Sequence, residues 1–348
     1  MPGVAGPILT VNVGSSSLKL SVLDAEDEIV AQREEAFAGE KEELEAGFEL
    51  ILAEAPEITA AGHRVVHGGH RFSEPVPIDD EAEAELEGLA DLAPLHNPPA
   101  VAAIEALRRL RPELPSVACF DTAFHATIPP AASTYAIPSA WSAPMPLRRY
   151  GFHGLSHSYA SRRAAELLER EPADLRLVTA HLGSGASLCA VKGGVSVDTT
   201  MGFTPLEGLV MATRSGSVDP GLLLWVQRHQ NLDAEEMEGA LDRESGLTAL
   251  SGRSGDIREV IAGADKGDER CRLAFDVYVH RLVAGVGAMA AAMGGVDALV
   301  FTGGVGEHSP RVREAVAAKT GFLEPECLVV PAREDLEIAR GVRSIVAG

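Results

Sequence analysis

Lysine is scarce in this chain. Of 30 basic residues only Lys19, Lys41, Lys192, Lys266 and Lys319 are lysines, against 51 Asp and Glu, for a formal net charge of -21. A chain this acidic has no overall basic face, which argues against nucleic acid or an anionic membrane as partner. Any anion must be held by a few placed cations. The four cysteines, at 119, 189, 271 and 327, show no CxxC or other metal spacing. That disfavours a zinc site and fits the isolated, reduced thiols of an intracellular protein. The longest apolar run, Leu282 to Gly295, is too short to span a bilayer and is expected to be a buried helix. The first basic residue is Lys19, so no signal-peptide pattern opens the sequence and a cytoplasmic location is expected.

A hydrophobic content of 46% over 348 residues is that of a folded protein too long for a single core, so two domains are expected. Hydrophobic spacing predicts strands near 8–13, 17–23, 28–33 and 60–66, helices over 41–54, 80–92 and 98–110, and a strand over 115–120. Alternation of this kind indicates an α/β fold. Five prolines in nineteen residues from Ile128 to Pro146 mark a domain crossing, followed by a helix from about Ser156 to Glu169.

Three glycine turns stand out. In ILTVNVGSSSLKLSV, residues 8 to 22, an apolar strand runs into Gly14-Ser15-Ser16-Ser17 and out again as a strand, with Lys19 just beyond. A turn of this composition can aim several N–H groups at one anion, although an ordinary serine-rich hairpin has the same pattern. It is not a Walker loop, which ends in GK[ST] and opens a helix. LVTAHLGSGASLCAVKGG, residues 177 to 194, repeats strand, Gly-Ser turn and strand, which suggests an internal duplication. ALVFTGGVGEH, residues 298 to 308, leads from a strand through Gly303-Gly304-Val305-Gly306 into a helix and would offer a glycine surface to a nucleotide.

Charged residues lie between these turns. Arg64 is in GHRVVHGG, Asp121 follows the apolar Val117-Ala118-Cys119-Phe120, His153 is in YGFHGLSH and Arg214 is in ATRSGSVDP. Each has a plain structural reading as a cap, a turn or a surface ion pair. Together with two phosphate-grade hairpins they are the parts of a phosphoryl-transfer site, where arginine forks neutralise equatorial oxygens. A Ser-His-Asp hydrolase is disfavoured because no Gly-x-Ser-x-Gly elbow opens a helix.

In this order, NVGSSSLK, GHRVVHGG, LAPLHNPP, FDTAFH, YGFHGLSH, HLGSGAS, MGFTPLEG and TRSGSVDP resemble the acetate kinase family of the sugar kinase, Hsp70 and actin superfamily, and SGRSGDIR, FTGGVGEHS and EDLEIAR extend the likeness to residue 340. The resemblance implies two duplicated ribonuclease H-like, actin-like ATPase domains around a central cleft. One would cover 1–123 with a returning helix 336–348, and the other, 124–335, would carry the nucleotide site. It implies reversible, direct in-line transfer of the ATP γ-phosphate to acetate, giving acetyl phosphate and ADP. ATP or ADP would bind with Mg2+, or Mn2+ in its place, and the enzyme would be a homodimer.

By the same resemblance, Arg64, Asp121, His153 and Arg214 would be catalytic, and Arg64, Val66, Leu95, Phe152 and Pro205 would receive acetate. Asn12 and Glu334 would hold the metal. Ser15, Ser16, Ser17 and Lys19 would form the first phosphate hairpin, and His181, Leu182, Gly183, Ser184 and Gly185 the second. Asp256, Ile257, Arg258, Gly303, Gly304, Val305 and Gly306 would line the adenosine site. The chain departs from the family at Ser184, where asparagine is usual, and at Gly255 and Ile257 in Gly255-Asp256-Ile257-Arg258, where Asn-Asp-Phe-Arg is usual. Acetate is already a carboxylate near neutral pH, so no general base is needed and Asp121 reads as a metal and orientation residue. A propionate kinase of the same class and a non-catalytic, nucleotide-switched protein of the actin or Hsp70 type are the alternatives.

Overall fold

The computed structural model describes residues 6–14, 17–55, 57–94, 96–142 and 145–346. They divide into two compact units, one of Met1–Ala126, Phe152–Tyr159 and Arg333–Gly348, the other of Thr127–Gly151 and Ala160–Ala332. The segment from Phe152 to Tyr159, assigned by sequence to the second domain, thus belongs to the first. The reason is local: the N–H of Gly154 donates to the carbonyl of Asp121 at 2.9 Å.

The first unit is a six-stranded sheet, ordered β3-β2-β1-β4-β6-β5, built from β1 (Ile8–Val13), β2 (Ser17–Leu23), β3 (Ile29–Ala36), β4 (Ala60–Val65), β5 (Val76–Pro77) and β6 (Ser116–Phe120). β1 is buried along almost its whole length, as a central strand covered on both faces must be, and Asn12 is its one partly exposed position. β3 closes the edge with Arg33, Glu34 and Glu35, charges that discourage edge pairing. On one face lie α1 (Lys41–Glu54) and α3 (Asn97–Leu110), with α2 (Asp80–Glu87) between them in sequence. Leu44, Phe48 and Ile51 of α1 sit at helical spacing and pack with Leu9, Val11, Leu20 and Val22 of the sheet.

The second unit begins with the short α4 (Pro130–Ser133) and takes up most of α5 (Gly154–Leu167). Its five-stranded sheet, ordered β11-β10-β7-β8-β9, contains β7 (Arg176–Leu182), β8 (Ala186–Lys192), β9 (Val195–Thr199), β10 (Ala298–Thr302) and β11 (Glu326–Val329). α6 (Pro220–Gln230) is capped by Asp219 and buries no residue. α7 (Ala234–Arg243), α8 (Gly246–Ser251), α9 (Ile257–Asp265) and α10 (Glu269–Met293) follow, then α11 (Gly303–His308) and α12 (Pro310–Thr320). The apolar run from Leu282 lies in α10, whose 25 residues and composition would suffice to cross a membrane. Here Cys271, Ala274, Tyr278, Leu282 and Val286 form a buried stripe, as in a core helix.

α13 (Glu334–Val346) returns to the first unit and covers the second face of its sheet. Ile338, Ala339 and Val342 pack on Ile8, Leu23, Ala60, Val117 and Cys119. Gly62 makes this approach possible, because a Cβ there would meet Ile338 Cγ2 at 2.4 Å and Val342 Cγ2 at 2.6 Å.

Candidate active site

In the first unit, Arg64 at the end of β4 is the hub. Its Nε lies 3.2 Å from both carboxylate oxygens of Asp121, its Nη2 donates to Asp121 Oδ2 at 2.6 Å, and its Nη1 donates to Asn12 Oδ1 at 3.0 Å. The Asn12 amide in turn donates to Glu334 Oε2 at 3.1 Å, and that oxygen is 3.8 Å from Arg64 Nη1. β1, β4, the end of β6 and the start of α13 thus each bring one polar group to one place. Burial opposes the charge on Arg64, but the carboxylates of Asp121 and Glu334 outweigh it and hold the guanidinium ionised above its ordinary range. For Asp121 burial is the strongest influence and lifts the carboxyl above its usual range, while the charge and hydrogen bonds of Arg64 pull the other way.

His153 adjoins this group through the backbone. It has φ of 58°, a left-handed conformation uncommon for a non-glycine residue, and its N–H donates to the Asp121 carboxylate. A Cβ at the next residue, Gly154, would meet the Asp121 carbonyl oxygen at 2.1 Å. The sharp entry into α5 therefore fastens Asp121 at both ends of its residue. Val66 and Phe152, expected to receive the methyl group, are buried in the same unit, with Phe152 edge-on to His67. Asn97 fixes that turn: its Oδ1 accepts from the His67 N–H at 3.1 Å, and its Nδ2 donates to the His67 carbonyl at 3.0 Å. Leu95, Ser15 and Ser16 lie outside the described residues. At the first hairpin the Gly14 N–H donates to the Ser17 carbonyl at 2.8 Å, and Lys19 pairs with Glu34 on the neighbouring strand at 3.1 Å.

These side chains offer hard oxygen donors from Asn12, Asp121 and Glu334. No group of three or more His, Cys, Asp or Glu capable of caging a metal occurs among the described residues. Two carboxylates and an amide suit Mg2+, which keeps several waters and takes its remaining ligands from substrate phosphates.

In the second unit Arg214 donates from Nε to Asp242 Oδ1 at 2.8 Å and from Nη1 to the Pro205 carbonyl at 3.5 Å. A cavity of about 630 Å3 in this unit is lined by three glycine turns and the loop at Ala212 and Thr213. Gly183 and Ser184 come from the turn after β7, Gly255 and Asp256 from the start of α9, and Gly304 and Val305 from the start of α11. Ile257, Leu247 and Tyr278 supply its apolar wall, and Arg258, mostly exposed, pairs with Asp256 at 2.6 Å. Gly303, with φ of 77°, turns the chain so tightly that a Cβ would meet the Leu182 carbonyl oxygen at 2.8 Å. The volume is that of a small-molecule site. His181 and Leu182 on β7, with Gly185 and Gly306, frame the turns without lining the cavity.

Sequence reasoning missed Asp242, Asn97 and Tyr278. Asp242 and Tyr278 lie outside every motif singled out in the sequence, on the helices α7 and α10, and no spacing distinguishes them. Asn97 stands in LHNPP, where a polar residue before two prolines signals a helix start rather than a scaffold.

A model of the Acetokinase family matches residues 28–329. An acetate kinase of Pseudothermotoga lettingae is 41% identical over 393 aligned residues, covering 97% of this chain and 97% of that protein. Among solved structures, the acetate kinase of Porphyromonas gingivalis is similar at a TM-score of 0.91 and 36% identity, over 98% of this chain and 100% of that one. A propionate kinase from Francisella tularensis is similar at a TM-score of 0.90 and 33% identity, over 98% and 100% of the two chains.

Proposed function

This chain belongs to the acetokinase family, phosphotransferases with a carboxyl group as acceptor, and we propose how its residues carry the reversible transfer of the ATP γ-phosphoryl group to acetate. The observation that carries the reading is the state of Arg64. Of the five N–H donors of a guanidinium, the Nε donor and one on Nη2 go to Asp121 and one on Nη1 goes to Asn12. One donor on each terminal nitrogen is left, and that pair matches the two oxygens of a carboxylate or phosphoryl group. Acetate is an anion at working pH, so catalysis needs no proton abstraction; it needs orientation and neutralisation of charge.

Arg64 and Arg214 are assigned the acetate carboxylate and the transferring phosphoryl oxygens, His153 the charge developing in the transition state, and Val66 and Phe152 the methyl group. Asn12 and Glu334 would hold Mg2+, which when bound screens the charge of the nucleotide phosphates. Asp121, engaged on both oxygens by Arg64, orients that arginine. The cavity behind Gly183, Gly255 and Gly304 is assigned to the nucleoside of ATP or ADP. The exposed Leu222, Leu224 and Trp225 of α6 support a homodimer, and four free cysteines support a reducing, cytoplasmic setting.

Hydroxamate trapping of acyl phosphate tests the proposal across formate, acetate, propionate and butyrate with ATP, GTP and pyrophosphate. Acetate with ATP is expected to give the highest turnover. The likeness to a propionate kinase favours propionate as second substrate, since one methylene in an apolar pocket changes selectivity by roughly 10- to 200-fold. Replacing Arg64 by alanine should lower turnover roughly 100- to 1,000-fold. No acyl phosphate from any pairing would reject the reading.

A further inference from the structure

Asp242, next to last in α7, holds Arg214 in a way the motifs do not reveal. Both side chains are 18% exposed and the Nε to Oδ1 distance is 2.8 Å. The contact rests on fastened main chain. Thr213 Oγ1 donates to the Asp242 carbonyl at 2.8 Å, the Ser215 N–H to the Leu241 carbonyl at 3.0 Å, and the Ser245 N–H to the Thr213 carbonyl at 2.9 Å. The residues on either side of Arg214 are therefore tied to the residues around Asp242. The carboxylate meets Nε because the backbone brings it there, not because two long side chains find each other at a surface.

The first unit has the same device, where Asp121 takes the Nε edge of Arg64. A carboxylate on Nε fixes the plane of a guanidinium while N–H donors remain on its terminal nitrogens, of which Nη1 of Arg214 also reaches the Pro205 carbonyl at 3.5 Å. Ion pairs with this purpose limit rotamer freedom and so lower the entropy lost when a substrate oxygen is clamped. We propose that Asp242 is a positioning residue for phosphoryl transfer, acting through Arg214 by accepting its Nε–H. The proposal rests on the assignment of Arg214 to the reacting groups.

The test compares D242A, D242N, R214A and the double variant D242A/R214A by kcat, by KM for acetate and ATP, and by thermal melting. D242A should lower kcat roughly 10- to 100-fold, with KM for ATP within roughly threefold of the parent. Its melting temperature should stay close to the parent's, because none of the three tying bonds uses the Asp242 side chain: two end on the carbonyls of 241 and 242 and the third joins Ser245 to Thr213. D242N, whose amide oxygen still accepts from Nε, should recover most of the loss. In the R214A background D242A should add nothing further, the mark of two residues acting as one unit. Parental kcat in D242A beside a crippled R214A overturns this proposal alone, as do additive losses in the double variant. Parental kcat in R214A overturns the assignment of Arg214 as well.

Discussion

Neither ring nitrogen of His63 has a hydrogen-bond partner, and the side chain is 1% exposed on β4, one residue before Arg64. Burial alone pushes its pKa down to about 3 from an ordinary 6.5. The folded protein therefore refuses a proton that the unfolded chain accepts. Stability from this group is complete above pH 6.5 and is lost progressively as pH falls from 6.5 toward 3. Between pH 6.5 and 5 the loss amounts to about 2 kcal/mol. Urea unfolding at the two pH values should show a difference in stability between them that is smaller by about that amount in a His63→Leu variant than in the parent. An equal drop in both chains would mean that His63 does not titrate this way. His125, pushed down to about 4 by burial, adds a slope of the same sign.

Among the elements, the first hairpin, the returning hairpin at β7 and β8 and the strand before Asp121 were legible because apolar alternation bounded by glycine has few other readings. What joined them was not. Asn12 and Glu334 meet across 322 positions of sequence, and no local pattern encodes that bond. Lys19 follows the serine turn in sequence and so read as part of a phosphate loop, but the strand register sets it opposite Glu34. α10 read as a short apolar run because its first half carries charges on its outer face.

Gly62 decides how closely α13 lies on the sheet. A methyl group there would collide with stiff β-branched side chains at 338 and 342, displacing the helix that begins at Glu334. Gly62→Ala should cost about 1–3 kcal/mol in unfolding free energy and lower turnover, and adding Val342→Ala should recover part of both. Unchanged stability and turnover in Gly62→Ala would show that α13 tolerates displacement.

At the scale of the molecule, α6 is the element that a lone chain leaves unexplained. Leu222, Leu224 and Trp225 are each about half exposed, and Val218 lies just before them. A second copy of the chain is the occupant that the family reading supports. Light scattering should give the mass of a dimer for the parent and of a monomer for the variant with Leu224→Asp and Trp225→Asp. A monomeric parent would remove that role from α6.

α13 also sets the order in which the molecule can be completed during synthesis. Asn12, Arg64 and Asp121 are made early, while the helix that supplies Glu334 and covers Ile8, Leu23, Ala60, Val117 and Cys119 is made after the whole second unit. Until it emerges, the first unit carries an apolar sheet face on which, of its own buried residues among those described, only Leu155 packs from outside the sheet. Its closure depends on contacts between distant parts of the sequence, which are slow to form and leave apolar surface open meanwhile. The unit begun first on the ribosome is therefore finished last, and in a growing chain the cluster of Asn12, Arg64, Asp121 and Glu334 stays incomplete until the second unit has already been made.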